Sequence, residues 1–216
     1  MKSQQSGFTL VEIAIVLVII GLLLGGILKG QELINSARVK NLANDFRVIP
    51  TYIYAYQDKF RALPGDDAAA VAHVTAPAGN IGNGNGTIDG AWNGDETSTT
   101  IESTLFWEHV RLANLAAGPT VPAAGFAPVN ALGGRIGVTS ATATQTVGGL
   151  QGTYVVCSDA IPGKFAKQLD ITMDDGDTAK GSMRVVPAGS TDPAASAAVA
   201  TTSIVDGTNY AVCMAF

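Results

Sequence analysis

The feature that most constrains this chain is an apolar run from Phe8 to Leu28, broken by a single charge, Glu12. A short polar leader, Met1 to Ser6, precedes it, with one basic residue, Lys2, and then Gly7. At about 1.5 Å per helical residue the run reaches roughly 30 Å, the thickness of a bilayer core. A carboxylate inside such a run costs about 2–3 kcal/mol or more near the bilayer centre, and less near the interface. A compensating partner for Glu12 is therefore expected. A secretory signal peptide would end in small residues after its apolar core. Gly25 and Gly26 are small, but Leu24, Ile27 and Leu28 make a poor cleavage site. An ordinary signal anchor gives no reason for Glu12.

The stretch Gly7-Phe8-Thr9-Leu10-Val11-Glu12, followed by Ile13-Ala14-Ile15-Val16-Leu17-Val18-Ile19-Ile20-Gly21, resembles the N-terminus of type IV pilins and type II secretion pseudopilins. The resemblance implies that a dedicated prepilin peptidase cuts between Gly7 and Phe8 and methylates the new Phe8 amine. It also implies that Glu12 meets the N-terminal amine of a neighbouring subunit during filament assembly. The likeness is close from Gly7 to about Phe60 and weak beyond.

Past Leu28 the pattern stays helical. Leu42, Phe46, Ile49, Ile53, Tyr56 and Phe60 recur at steps of three and four, one apolar stripe opposite a polar face. One helix is expected from Phe8 to about Arg61, apolar all round in its first half and amphipathic in its second. Pro50 removes a backbone bond, so a kink is expected near Phe46 to Pro50. Gly21, Gly25, Gly26 and Gly30 let neighbouring helices approach closely. The division expected is leader 1–7, membrane or filament-core helix 8–28, amphipathic continuation 29–62 and globular head 63–216.

Gly, Asn and Asp crowd residues 65–100, which argues against regular structure there. A short amphipathic helix is expected over Glu102 to Ala116. Strands are expected at Arg135–Val138, Thr153–Cys157, Met183–Val186 and Asn209–Met214, with a short helix over Ile161–Ile171. Residues 187–203 read as a surface loop. The fold class expected is α+β, a long helix laid on an antiparallel sheet, which agrees with the pilin-like fold the resemblance implies.

Net charge is −5 over 216 residues, and no run of Lys or Arg occurs, which argues against a dedicated nucleic-acid surface. Two cysteines, Cys157 and Cys213, should pair if the head lies outside the cytoplasm; the alternative is two buried thiols. His73 and His109 lie in separate segments without ligand spacing, and His109 reads as a surface residue. With no nucleophile elbow, phosphate loop or zinc motif, the chain does not read as an enzyme.

Calcium is the one cofactor the sequence raises. Asn83-x-Asn85-Gly86-Thr87-Ile88-Asp89 resembles the middle of an EF-hand loop, with Asp66, Asp67 and Asp95 as nearby acids. The outer EF-hand positions fall on Ile81 and Trp92, which depart from the pattern. The acidic turn Asp174 to Asp177 is a second location. The alternative is a turn whose acids are only solvated. Pseudopilins resembling this chain use calcium to order their heads.

The function expected is a structural filament subunit, and the partners are its own copies, other pilin-like subunits, the peptidase and an inner-membrane assembly platform. It would sit in a bacterial inner membrane before assembly and in a periplasmic or extracellular filament afterwards. The alternatives are a type II secretion pseudopilin and a membrane-anchored binding protein that never polymerises. A disulfide on the last strand favours the pilin; the acidic loops favour the pseudopilin.

Overall fold

The computed structural model describes residues 9–141, 147–190 and 197–216. The processing residues Gly7 and Phe8 lie outside the described residues. The chain divides into two compact units, Met1–Arg38 and Val39–Phe216.

Helix α1, Leu10–Phe60, supplies helical residues to both units. In the first unit the side chains from Leu10 to Leu28 stay open, as Leu10, Leu17, Leu22 and Leu28 illustrate. In the second unit the expected stripe is the buried face: Leu42, Phe46, Ile49, Ile53 and Tyr56 are almost wholly covered, and Phe60 partly so. The helix continues through Pro50, which is itself buried. Packing of its neighbours Ile49 and Ile53 offsets the hydrogen bond that proline removes. The helix stops at Arg61, whose φ of 59° is left-handed, just before Leu63-Pro64.

Helix α2, Ala70–Val74, is a single turn inside the segment whose Gly, Asn and Asp content argued against regular structure. The alanines from Ala68 to Ala72 carry enough helix propensity for that turn. Helix α3, Glu102–Leu112, ends earlier than the sequence suggests, at Leu112 rather than Ala116, with Ala113 as its cap. Every residue from Glu102 to Arg111 is buried, so α3 is an internal helix and not an amphipathic surface one.

The four strands are β1 Ile136–Ser140, β2 Tyr154–Pro162, β3 Met183–Pro187 and β4 Asn209–Ala215, with helix α4, Gly163–Met173, between β2 and β3. They form one antiparallel sheet in the order β1-β2-β4-β3. A bulge in β2 between Ser158 and Ile161, where Ala160 takes φ 54°, bends the strand toward α4. A single 3-10 turn at Thr201–Ser203 lies in the segment read as surface loop.

The sheet is covered on both faces. Ile136, Val138, Val156, Met183, Val185 and Val212 share a core with the α1 stripe and with Phe165 and Leu169 of α4. Val155, Cys157, Val186, Ala211 and Cys213 form a second core with Trp92, Val147 and Leu150. Double coverage explains why Val155-Val156-Cys157 reads as an unbroken apolar run rather than an alternating one. Gly137 makes the second layer possible: a Cβ there would fall 1.8 Å from the Trp92 carbonyl oxygen.

Candidate functional site

The N-terminal segment begins with a local answer to the Glu12 problem. Thr9 precedes the first helical residue, and its N–H and hydroxyl donate to Glu12 Oε2 at 2.8 and 2.7 Å. The Glu12 N–H returns a bond to Thr9 Oγ1 at 3.3 Å. This is a reciprocal capping box, a threonine at the cap and a glutamate three residues on. It satisfies amides that would otherwise be orphaned at a helix start. It also places the carboxylate at the helix's positive end, where the macrodipole favours it. Glu12 therefore has a partner in its own chain.

From Leu10 onward α1 is long and apolar enough to cross a membrane by length and composition. Gly21, Gly25, Gly26 and Gly30 have open space beside them, with no atom within 4 Å of an added Cβ.

In the head, Cys157 and Cys213 are disulfide-bonded. They sit opposite one another in the β2–β4 register and are fully buried. The bond ties the last strand to the central strand of the sheet.

The Asn–Gly loop is organised by helix α3. Glu102 accepts the Asn83 and Asp89 amides, Ser103 donates to the Ala91 carbonyl, and Thr104 donates to the Asp95 carbonyl. From the other side Asp66 accepts three amides, Gly84 and Asn85 on Oδ1 at 2.6 and 3.0 Å, and Gly86 on Oδ2 at 2.7 Å. Burial pushes the Glu102 carboxyl above its usual range, against the pull of its two amides, and the charges of Asp66 and Asp89 add to the rise.

The structure brings together Asn83, Asn85 and Asp89. Both asparagine amides donate to Asp89 Oδ2, at 3.1 and 2.9 Å, and Asn83 Oδ1 and Asn85 Oδ1 accept the amides two residues on. Asp67 and Asp95 face elsewhere. Asp67 accepts the Tyr56 hydroxyl and the Ala69 amide and lies 2.7 Å from His73 Nδ1. Asp95 makes a turn with Thr97. Ile81 is exposed, and Trp92 belongs to the second core. Arranged this way, the loop turns N–H groups toward its acid, and its oxygens already accept bonds. Ca²⁺ takes six to eight converging oxygens, and Asn83, Asn85 and Asp89 are the expected residues that this loop brings together.

His109 is fully buried, against the surface position expected for it. The Gly65 N–H donates to its Nδ1 at 3.0 Å, so the ring proton sits on Nε2 and is donated to the Asn80 carbonyl at 3.1 Å. Burial pushes its pKa down, which keeps this neutral tautomer. Next to it, buried Glu108 accepts from Asn80 Nδ2. The Arg111 guanidinium donates to the Pro119 and Phe126 carbonyls. The polar residues of α3 thus hold the surrounding loops in place.

His73 lies at the edge of a cleft of about 590 Å³ that Asp66, Asp67 and Gly84 also line. Burial opposes ionisation of Asp67, but bonds from His73, Tyr56 and Ala69 outweigh it and hold the carboxyl below its usual range. Among the described residues no hydroxyl or thiol bonds the His73 ring, so the pair has no nucleophile to activate.

A long N-terminal helix with an exposed apolar half, joined in sequence to an α+β head with a four-stranded antiparallel sheet, defines a pilin-like architecture. Residues 2–28 match the family described as the prokaryotic N-terminal methylation motif. The chain carries the prepilin-type signal of type IV pilins and pseudopilins. No curated protein and no solved structure matches the chain. The motif implies processing by prepilin peptidase and points to a structural rather than an enzymatic protein; with the apolar helix it suggests anchoring in the inner membrane.

Proposed function

We propose that this protein is a structural subunit of a type IV pilus or pilus-like filament. The observation that carries this is the methylation motif over residues 2–28, continuous with an exposed apolar helix whose one acid is held at its start. The subunit waits in the inner membrane with α1 in lipid. Prepilin peptidase cuts after Gly7 and methylates the Phe8 amine. An assembly platform draws the helix out of lipid and onto the base of the growing fibre. Burial of Leu10 to Leu28 against neighbouring helices replaces burial in lipid, and the glycines allow close approach. Glu12 exchanges part of its local cap for the Phe8 amine of a neighbour, which offsets its charge and sets the axial register. The head, closed around its own core and its disulfide, coats the fibre.

Mass spectrometry of the mature protein tests processing: the chain should begin at N-methylated Phe8. Electron microscopy of material sheared from expressing cells tests assembly: filaments containing the chain should appear. Intact Met1 or Lys2 on assembled protein would refute the cleavage. A cleaved chain that never leaves the membrane as a fibre would refute the filament role.

A further inference from the structure

The chain contains three Asn-Gly pairs, Asn83-Gly84, Asn85-Gly86 and Asn93-Gly94. An asparagine before a glycine can lose its side-chain amide without an enzyme. The glycine backbone nitrogen gives up its proton to solvent base and attacks the asparagine Cγ. The new C–N bond closes a cyclic imide, and the side-chain nitrogen leaves as ammonia. Water then opens either C–N bond of the imide, giving aspartate or isoaspartate. Glycine favours the attack because no Cβ hinders the approach. The structure holds the three pairs in different states.

At Asn85 the electrophile is prepared. Its Oδ1 accepts the Thr87 N–H at 2.8 Å and the Thr87 hydroxyl at 2.6 Å. Donors on the oxygen that turns negative as nitrogen attacks stabilise that charge, as in an oxyanion hole. The leaving nitrogen is held as well, Nδ2 donating to Asp89 Oδ2 at 2.9 Å. Asn85 and Gly86 are exposed, so water reaches both. The nucleophile, by contrast, is restrained. The Gly86 N–H donates to Asp66 Oδ2 at 2.7 Å, and buried Asp66 is itself fixed by the Gly84 and Asn85 amides. A carboxylate is a far weaker base than a peptide anion, so the proton stays on nitrogen. A bond to a negative acceptor makes that proton harder to remove.

We propose that Asn85 is a latent deamidation site, primed by Thr87 and held off by the grip of Asp66 on the Gly86 amide. Neither other pair combines priming with exposure. Among the described residues Asn83 Oδ1 accepts only the Asn85 N–H, and the Gly84 N–H is held twice, by the carboxylate and the main-chain carbonyl of Asp66. Asn93 Oδ1 is buried without a donor, and the Gly94 N–H is bound by the Ala91 carbonyl. Conversion at Asn85 acts in one direction. Aspartate there loses the Nδ2 bond and sets a second carboxylate against Asp89, and isoaspartate also lengthens the backbone before Gly86. Either product loosens the loop from Asp89, so release of one amide becomes a permanent change in the head.

The test incubates the full chain in detergent at mildly alkaline pH and follows Asn83, Asn85 and Asn93 in parallel by peptide mapping with mass spectrometry. In folded wild type, Asn85 should convert at least about tenfold more slowly than in the same chain unfolded by urea, because reaction waits for the Gly86 amide to open. Asp66→Asn frees that amide and should raise the rate at Asn85 by about ten- to thirtyfold over folded wild type, leaving Asn93 unchanged. Adding Thr87→Val should lower the rate again by about threefold or more, whereas Thr87→Ser, which keeps the hydroxyl, should not. Amide hydrogen exchange gives a reading that needs no variant: Gly86 should be protected in wild type. A folded wild type that converts Asn85 as fast as the unfolded chain does, or an unprotected Gly86 amide, would overturn the proposal. So would an Asp66→Asn protein, folded by circular dichroism, in which Asn85 reacts no faster, or slower as it would if Asp66 were a base, or in which Asn93 speeds up as much. Indifference of the rate to Thr87→Val would overturn the priming.

Discussion

Asp66 is the residue on which the order of the Asn–Gly loop most depends. Its carboxylate accepts three backbone amides, those of Gly84, Asn85 and Gly86. Replacing it with alanine leaves the Gly86 amide without its acceptor, while Gly84 keeps the Asp66 main-chain carbonyl and Asn85 keeps Asn83 Oδ1. Bonds to charged acceptors are worth about 1.5–3 kcal/mol each; two of the amides keep a second acceptor and partial exposure lets water recover some of the rest, so the loss is about 2–4 kcal/mol. Asp66→Asn is milder and more diagnostic. It keeps one oxygen, enough for Gly84 and Asn85, and turns an NH₂ group toward the Gly86 amide, costing about 2 kcal/mol. At about 2–4 °C per kcal/mol, the expected falls in Tm are roughly 4–16 °C for alanine and 4–8 °C for asparagine. Amide hydrogen exchange should show Gly86 losing protection in both variants, with Gly84 and Asn85 losing less because each keeps a second acceptor. An alanine variant that melts within about 1 °C of wild type, or that leaves the Gly86 amide protected, would refute the idea that Asp66 organises the loop.

Glu12→Ala should leave export and cleavage intact yet lower filament yield by about tenfold or more, since a neighbour's buried amine loses its partner; immunoblots of sheared fibres against whole cells read this out. Replacing Cys157 and Cys213 together by alanine should destabilise the head by about 4 kcal/mol in the chain-entropy model for a sequence separation of 56, seen as a lower urea midpoint. Gly137→Ala should cost about 3 kcal/mol or prevent folding, because the added Cβ meets the Trp92 carbonyl at 1.8 Å; a Tm equal to wild type would mean that this layer yields easily. Asp45, half-buried beside Tyr52 and Trp107, has its carboxyl pushed up to about 6 by burial. A raised carboxylate contributes fully below its unfolded pKa and loses that contribution as pH rises through about 4 to 6. Asp45→Asn should therefore stabilise by about 1 kcal/mol at pH 7.5, after allowance for exposure, and change little at pH 3.5.

The α1 stripe and all four strands were legible because their signals are local. Leu42 to Tyr56 repeat at helical spacing, and each strand is a short β-branched run between turn residues. The capping role of Thr9 is equally local, a threonine three residues before an acid. Helix α3 was misjudged because its polar residues find partners far off in sequence. His109 bonds Gly65, and Glu108 bonds Asn80, across separations of 44 and 28 residues. Nothing in Glu102 to Arg111 alone tells a solvated face from one wrapped by loops. The burial of Asp170 does leave a signal: Phe165, Ala166 and Leu169 mark the inward face of α4, and Asp170 follows Ala166 by four, on the same stripe.

The two units differ in what they leave unsatisfied. In Val39–Phe216 the sheet is covered twice, the loops are fastened to α3 and the last strand is bound by a disulfide. Several of its acids, Asp66 and Glu102 among them, are engaged by backbone amides. In the described part of Met1–Arg38 the reverse holds. Almost every apolar side chain from Leu10 to Leu28 is open, and no other residue comes near the glycines. A helix of this kind is stable only in lipid or against others like it. In the filament reading proposed above, assembly chemistry is confined to a segment that a motif of consecutive residues can specify. The head, whose stability is internal, can change its surface without altering how the helix is cut, held or packed. That separation explains why a motif over residues 2–28 is recognisable by itself, whatever head follows it.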